Sequence, residues 1–176
     1  MRKKLAAVLS SLAVVAGCAT PGPETYRDEK PALDLMRYFD GTVDAWGQFA
    51  ERSGKVVKRF KVVIHGRLEG ETLVLDERFS YADGSTQRRV WTIRRDGAHG
   101  YTGTAADVVG EARGEAWGNA LRWQYVLALD VDGRTWHVNF DDWMYLQDDG
   151  VMLNRSEMSK LGVRLGEVMI AFRRRS

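Results

Sequence analysis

The sequence of 176 residues contains one cysteine, three histidines and three prolines. A single cysteine leaves no disulfide within the chain, even in a compartment that would permit one. His65, His99 and His137 are scattered, and none has a ligand-like partner two or four positions away, so no metal site is predicted. "DVDGR" and "LQDDG" resemble calcium loops faintly, but both lack the later acidic ligands of an EF-hand and read as turns. No G-x-S-x-G is present, and no Ser–His–Asp arrangement can be argued, so nothing nominates a nucleophile. "GEARGEAWG" is glycine-rich, yet no GK[ST] follows and no helical pattern begins there. Its glycines suit strand bends or bulges, and no cofactor is expected. Repeats at solenoid spacing and low-complexity tracts are also missing, as are Pro-rich stretches beyond "CATPGPET". With 44% hydrophobic residues, the chain is expected to form one domain around one core.

What is present begins at the N-terminus. "MRKK" is positively charged and "LAAVLSSLAVVAG" is apolar, the layout of a secretory signal peptide too short for a standard membrane span. The sole cysteine ends this stretch, and Val15-Ala16-Gly17-Cys18 resembles the lipobox of bacterial lipoproteins. That resemblance implies cleavage before Cys18, a diacylglycerol on its sulfur and acylation of the new amine. Each buried methylene of such an anchor contributes about 0.8 kcal/mol. A sulfur so used is excluded as a nucleophile or metal ligand. Ala19 stands where an inner-membrane retention Asp would, which implies the outer membrane, facing the periplasm. The alternative is an ordinary signal peptide that ends in a chance cysteine. The domains expected are a signal peptide over 1–17, a lipidated Cys18 with a polar tether to residue 31, and a folded domain over 32–176.

Charge of one sign is lacking too. The formal net charge is +2, from 26 basic and 24 acidic residues. Arg2, Lys3 and Lys4 lie in the leader, and without them 23 basic residues face 24 acidic ones. Charge therefore gives no case for a nucleic-acid partner.

"ALDLMRYF" (32–39) carries a weak helical spacing at Leu33, Met36 and Phe39. Beyond it the pattern turns to strands, with turn signals about every ten residues. Strands are expected over 55–66, 71–81, 86–95, 99–104, 107–117, 120–131, 134–146, 151–159 and 163–173, with nine or ten in all. Parallel pairs need long crossovers, so these short turns demand an antiparallel order. An up-and-down barrel removes the exposed edges, while a two-sheet sandwich is the competing arrangement. A membrane-spanning barrel is disfavoured by Arg59, Lys61, Asp76, Arg78, Arg122 and Gln124 on the outward face. At the midplane of a lipid-facing band, Arg and Lys cost about 2–4 kcal/mol each.

"YFDGTVDAWGQFAERSG", "LDERFSYADGSTQRRVW", "TAADVVGEARGEAWGNALRW" and "FDDWMYLQDDGVMLNRSEMSKLG" resemble the domain of unknown function 3833 family of Gram-negative lipoproteins. The match covers nearly the whole mature chain. The resemblance implies an all-β, antiparallel, lipocalin-like barrel of about 8–10 strands with a short N-terminal helix. It also hints at lipid, since relatives are often encoded near fatty-acid-modifying enzymes. It implies no mechanism.

Polar residues on inward-reading faces are the candidate site. Asp141 and Asp142 sit side by side in one strand and must point to opposite faces. Asp142 shares its face with Trp136, Val138, Phe140, Met144 and Leu146. Glu77 likewise interrupts Leu75 and Phe79, and Arg89 lies one inward step from Trp91. Arg155 shares a face with Val151 and Leu153 and is expected to join them. Isolated buried charges are very costly, so these groups should pair with one another or meet water, with Asp142 as partner of an inward arginine. They read as a structural salt-bridge network or as the polar end of an apolar cavity. In the second case an arginine would hold a carboxylate or phosphate head, and the acids would orient it. Catalysis by paired carboxylates is the remaining reading. Trp91, Trp123, Trp136, Trp143 and Tyr125 fit core or cavity lining. The leading expectation is thus a lipid-anchored barrel that holds a small hydrophobic ligand such as a fatty acid or lipid. Its rival is a filled barrel that serves as a scaffold in an envelope complex, with an exposed apolar patch and no cavity.

Overall fold

The computed structural model describes residues 21–175, and every element below lies within them. Ten strands form one closed barrel: β1 (Gly41–Glu51), β2 (Val56–Glu69), β3 (Thr72–Tyr81), β4 (Thr86–Asp96), β5 (Gly100–Thr104), β6 (Ala112–Trp117), β7 (Ala120–Val131), β8 (Arg134–Leu146), β9 (Val151–Lys160) and β10 (Val163–Arg174). Each strand pairs antiparallel with its chain neighbours, and β1 pairs with β10 to close the ring. Closure pairs the two terminal strands, while the first half of β4, residues 86–91, pairs with β3 alone.

The alternation of side chains places the core. Val62 and Ile64 of β2, Leu73 and Leu75 of β3, Trp91 and Ile93 of β4, and Leu121 and Trp123 of β7 are all buried. Intervening positions carry the charges, which pair across the outer wall: Arg88 with Asp76 at 2.8 Å, Arg122 with Asp141 at 2.6 Å, Arg175 with Asp44 at 2.6 Å.

Up-and-down order puts the turns after β2, β4, β6 and β8 at one end, together with α1 (Leu35–Phe39). A five-residue helix is unstable alone and forms here because the barrel holds it. Asp34 caps it by accepting from the Arg37 N–H at 3.2 Å and accepts from Arg95 at 2.7 Å. Arg174 donates to the carbonyls of Arg37 and Asp40, each at 3.0 Å, and the Tyr38 hydroxyl donates to the Gly150 carbonyl at 3.1 Å. Gly66 has no side chain because the Phe39 carbonyl occupies that place. Leu35, Met36, Tyr38 and Phe39 are buried against the strand ends, and α1 plugs this end of the barrel.

Three expectations change. The helix starts at Leu35, and the strand expected over 107–117 begins only at Ala112. Residues 105–111 form a loop joined to β7 by one bridge, Val108 to Leu127. Within the expected polar tether, part of the described segment from residue 21 onward packs against the barrel. Pro23–Tyr26 form a 3-10 turn, and the Tyr26 ring lies 5.4 Å from Tyr145 and 6.1 Å from Trp143 on the outer wall. Gly118, in the turn after β6, receives the carbonyls of Tyr26 and Glu29. The segment is therefore fastened beside the plugged end.

Candidate functional site

A cavity of about 310 Å³ runs inside the barrel, from Leu35 and Phe39 of the plug to Lys58, Tyr81 and Gln87 at the opposite rim. Its volume lies at the low end of the roughly 300–1,000 Å³ typical of small-molecule sites. The filled barrel of the scaffold expectation is not what the fold contains. Aliphatic and aromatic side chains make most of the wall, including Phe60, Phe79, Phe140, Leu127, Met158 and Val168.

Midway along this wall sits a polar cluster that strand register assembles. Glu77 and Arg89 are direct partners on β3 and β4. Asp142 of β8 lies opposite Trp123 on β7 and opposite Ser156 on β9. Arg89 donates from Nε to both oxygens of Asp107 at 3.0 Å and from Nη2 to Oδ2 at 2.7 Å. Its Nη1 stands 4.0 Å from Glu77. Burial opposes the guanidinium charge, but Asp107 and Glu77 outweigh it and hold Arg89 ionised above its usual range. The same Arg89 lies over the Phe79 ring at 5.7 Å.

Asp142 is 7% exposed, and its carboxyl accepts from the hydroxyls of Ser156 and Tyr125, the latter at 3.3 Å. Burial pushes it up to about 7 against the lowering effect of those hydrogen bonds. Burial likewise pushes Glu77 up to about 7, partly offset by the charge of Arg89. Tyr125 is driven well above its usual value by burial and then by the charge of Asp142. Its ring stacks on Phe140 at 5.1 Å and meets Trp91 edge-on at 5.4 Å. Trp91 also meets Trp123 edge-on at 5.9 Å. No group of three or more His, Cys, Asp or Glu among the described residues is arranged to hold a metal.

The fold brings together six of the sequence candidates: Glu77, Arg89, Trp91, Trp123, Tyr125 and Asp142 all line the cavity. Arg155 does not join them. It lies on the outer face of β9, its side chain 60% exposed and bonded to Glu167 at 3.2 Å. The inward residues of that strand are Met152, Asn154, Ser156 and Met158. Asp142 has no arginine partner among the described residues either: the guanidinium of Arg89 is spent on Asp107. Trp136 and Trp143 do not line the cavity; Trp136 is exposed at the barrel end beneath Lys160, and Trp143 faces the 3-10 turn.

Sequence reading missed Asp107, Asn154 and Ser156. Asp107 stands in a loop, where no periodicity marks a direction. Asn154 and Ser156 are small polar residues on a strand whose two faces each mix apolar and polar residues, Val151 and Leu153 on one and Met152 and Met158 on the other. Only their register against Met144 and Asp142 reveals that they point inward. Cys18 lies outside the described residues.

The model of a family described as protein of unknown function (DUF3833) matches residues 12–174. The chain belongs to this family. The DUF3833 match spans the 3-10 turn, the plug, every interior polar residue and all ten strands. A search of curated proteins found no match.

Proposed function

We propose that this member of the DUF3833 family is a lipocalin-like carrier: a barrel, lipid-anchored through Cys18 on the periplasmic face of the outer membrane, that holds one small hydrophobic ligand. The cavity carries this reading. A barrel stabilised only as a scaffold gains by filling its interior, since each buried void forfeits packing. Here about 310 Å³ is left open between the plug and the rim. The wall is apolar, with one polar cluster to fix orientation, the usual make-up of a small-molecule site. The leader and the lipobox-like residues before Cys18 support the anchor and the address.

Native mass spectrometry tests the carrier reading on protein purified from a bacterial envelope fraction. A discrete added mass that organic extraction removes is the expected result. A bare mass that stays bare after incubation with mixed membrane lipids would overturn it. The intact mass of the membrane-extracted chain tests the anchor, which requires cleavage before Cys18 and added acyl chains.

The outer wall favours a second reading, docking of a protein partner. Trp46 of β1, Leu153 of β9 and Met169 of β10 are each about half exposed, and Trp46 and Leu153 flank Ala171 in one cross-strand row. These three side chains border a surface groove that also reaches Phe60, Tyr81 and Asn154 of the cavity wall, and docking there is compatible with carriage.

A further inference from the structure

Three observations bear on the head group a ligand would present. Arg89 is already engaged. A guanidinium grips an anion through a fork of parallel N–H donors, and here Asp107 occupies the Nε–Nη2 fork while Nη1 faces Glu77. The interior thus sets the three carboxyls of Glu77, Asp107 and Asp142 against one guanidinium.

Asn154 supplies the second observation. It is 4% exposed, lines the cavity, and neither its Nδ2 nor its Oδ1 has a hydrogen-bond partner among the described residues. A buried amide left unpaired is destabilising, so such a group in a cavity wall marks a place for a polar ligand atom. Asn154 lies one inward step from Ser156, the partner of Asp142, so amide and carboxyl border the same part of the cavity. The third is aromatic. Trp91, Trp123 and Tyr125 crowd beside these acceptors, and their ring faces attract cations.

Resting on the carrier reading above, we infer that the cavity selects an amphiphile headed by a protonated amine and disfavours carboxylate or phosphate heads. An ammonium brings three donors and no acceptor. Asp142, Glu77 and the Oδ1 of Asn154 supply acceptors, and the apolar wall takes the tail. A carboxylate there would meet surplus acid and a guanidinium that is not free. The groups facing Asp142 are Ser156 of β9, Tyr125 of β7, Arg89 of β4 and Glu77 of β3, with Asp107 behind Arg89 in its loop. Burial holds Asp142 and Glu77 close to neutral pH, so an arriving cation displaces a proton. Amine affinity therefore rises between pH 6 and pH 8, roughly the window centred on their titration.

The test uses the chain from residue 21 onward, which contains every element of the fold, and three probes with one tail: decylamine, decanol and decanoate. Isothermal titration calorimetry at pH 8 is expected to show decylamine binding at least about tenfold tighter than decanoate. Asp142→Asn, which keeps the side-chain shape, is expected to lower that ratio by about tenfold. Thermal melts of the variant confirm that it is folded. Decanoate binding as tightly as decylamine would overturn the amine inference and leave the carrier reading standing. Binding of none of the three would overturn both.

Discussion

Replacing Asp142 by asparagine should make the protein more stable at pH 8 and remove part of its pH dependence. Asp142 titrates near 7 in the fold, against an ordinary value of 3.8, because burial disfavours its charge. Its folded value is raised, so its stabilising contribution is complete below about pH 4. The contribution is lost as pH climbs towards 7, because the unfolded chain releases the proton first. At about 1.36 kcal/mol per pH unit, the shift corresponds to about 4 kcal/mol. Water entering the cavity and movement of Arg89 towards a new charge relieve part of this, so about 2 kcal/mol is the working expectation. Asparagine fits the same space, still meets Ser156 and Tyr125, and does not titrate. For a domain of this size about 2 kcal/mol corresponds to about 4–8 °C in melting temperature. Thermal melts of both proteins from pH 4 to pH 8 provide the assay. The variant should melt higher at pH 8, and its curve should be flatter between pH 4 and pH 7. A variant that melts lower at pH 8, with the wild-type slope intact, would refute the reasoning. Asp142 would then be an ionised structural partner.

Arg89→Met should destabilise the barrel by about 3–5 kcal/mol in urea unfolding, because Asp107 and Glu77 lose the guanidinium they share. Adding Asp107→Leu should recover most of that loss. Phe39→Ala should cost about 3–5 kcal/mol by opening the plug against Phe172, and should speed exchange of the Gly66 and Phe172 amides with deuterium. Arg155→Ala should change stability by less than about 1 kcal/mol and leave ligand binding unaltered, since its partner Glu167 shares the water-facing wall.

Strict alternation made β2, β3, β4, β7 and β8 legible, since in each the apolar residues fall on the face that the barrel buries. Asp142 and Glu77 were visible for the same reason: a charge in an apolar row stands out. β9 misled because its outward face holds Val151 and Leu153, while its inward face holds Asn154 and Ser156. Burial there follows pairing with β8, a long-range fact that no local pattern contains. Asp107 was invisible because its role depends on where a loop carries it. The plug was visible only as a weak helix, because its stability comes from the barrel end and not from its own five residues. Cavity and core differ by a few ångströms of side-chain reach, which alternation does not encode.

The fastening of the 3-10 turn beside the plug has a directional consequence. Four residues, and so five Cα-to-Cα steps, separate Cys18 from Pro23. At about 3.6 Å per residue such a leash reaches no more than about 18 Å. With the anchor proposed at Cys18, the chain would be tied to the bilayer by its sealed base. The rim of Lys58, Tyr81 and Gln87 would then look away from the anchoring leaflet. Cargo would pass to and from whatever approaches across the aqueous side. The barrel would work as an upright cup set on the membrane, filled and emptied from above.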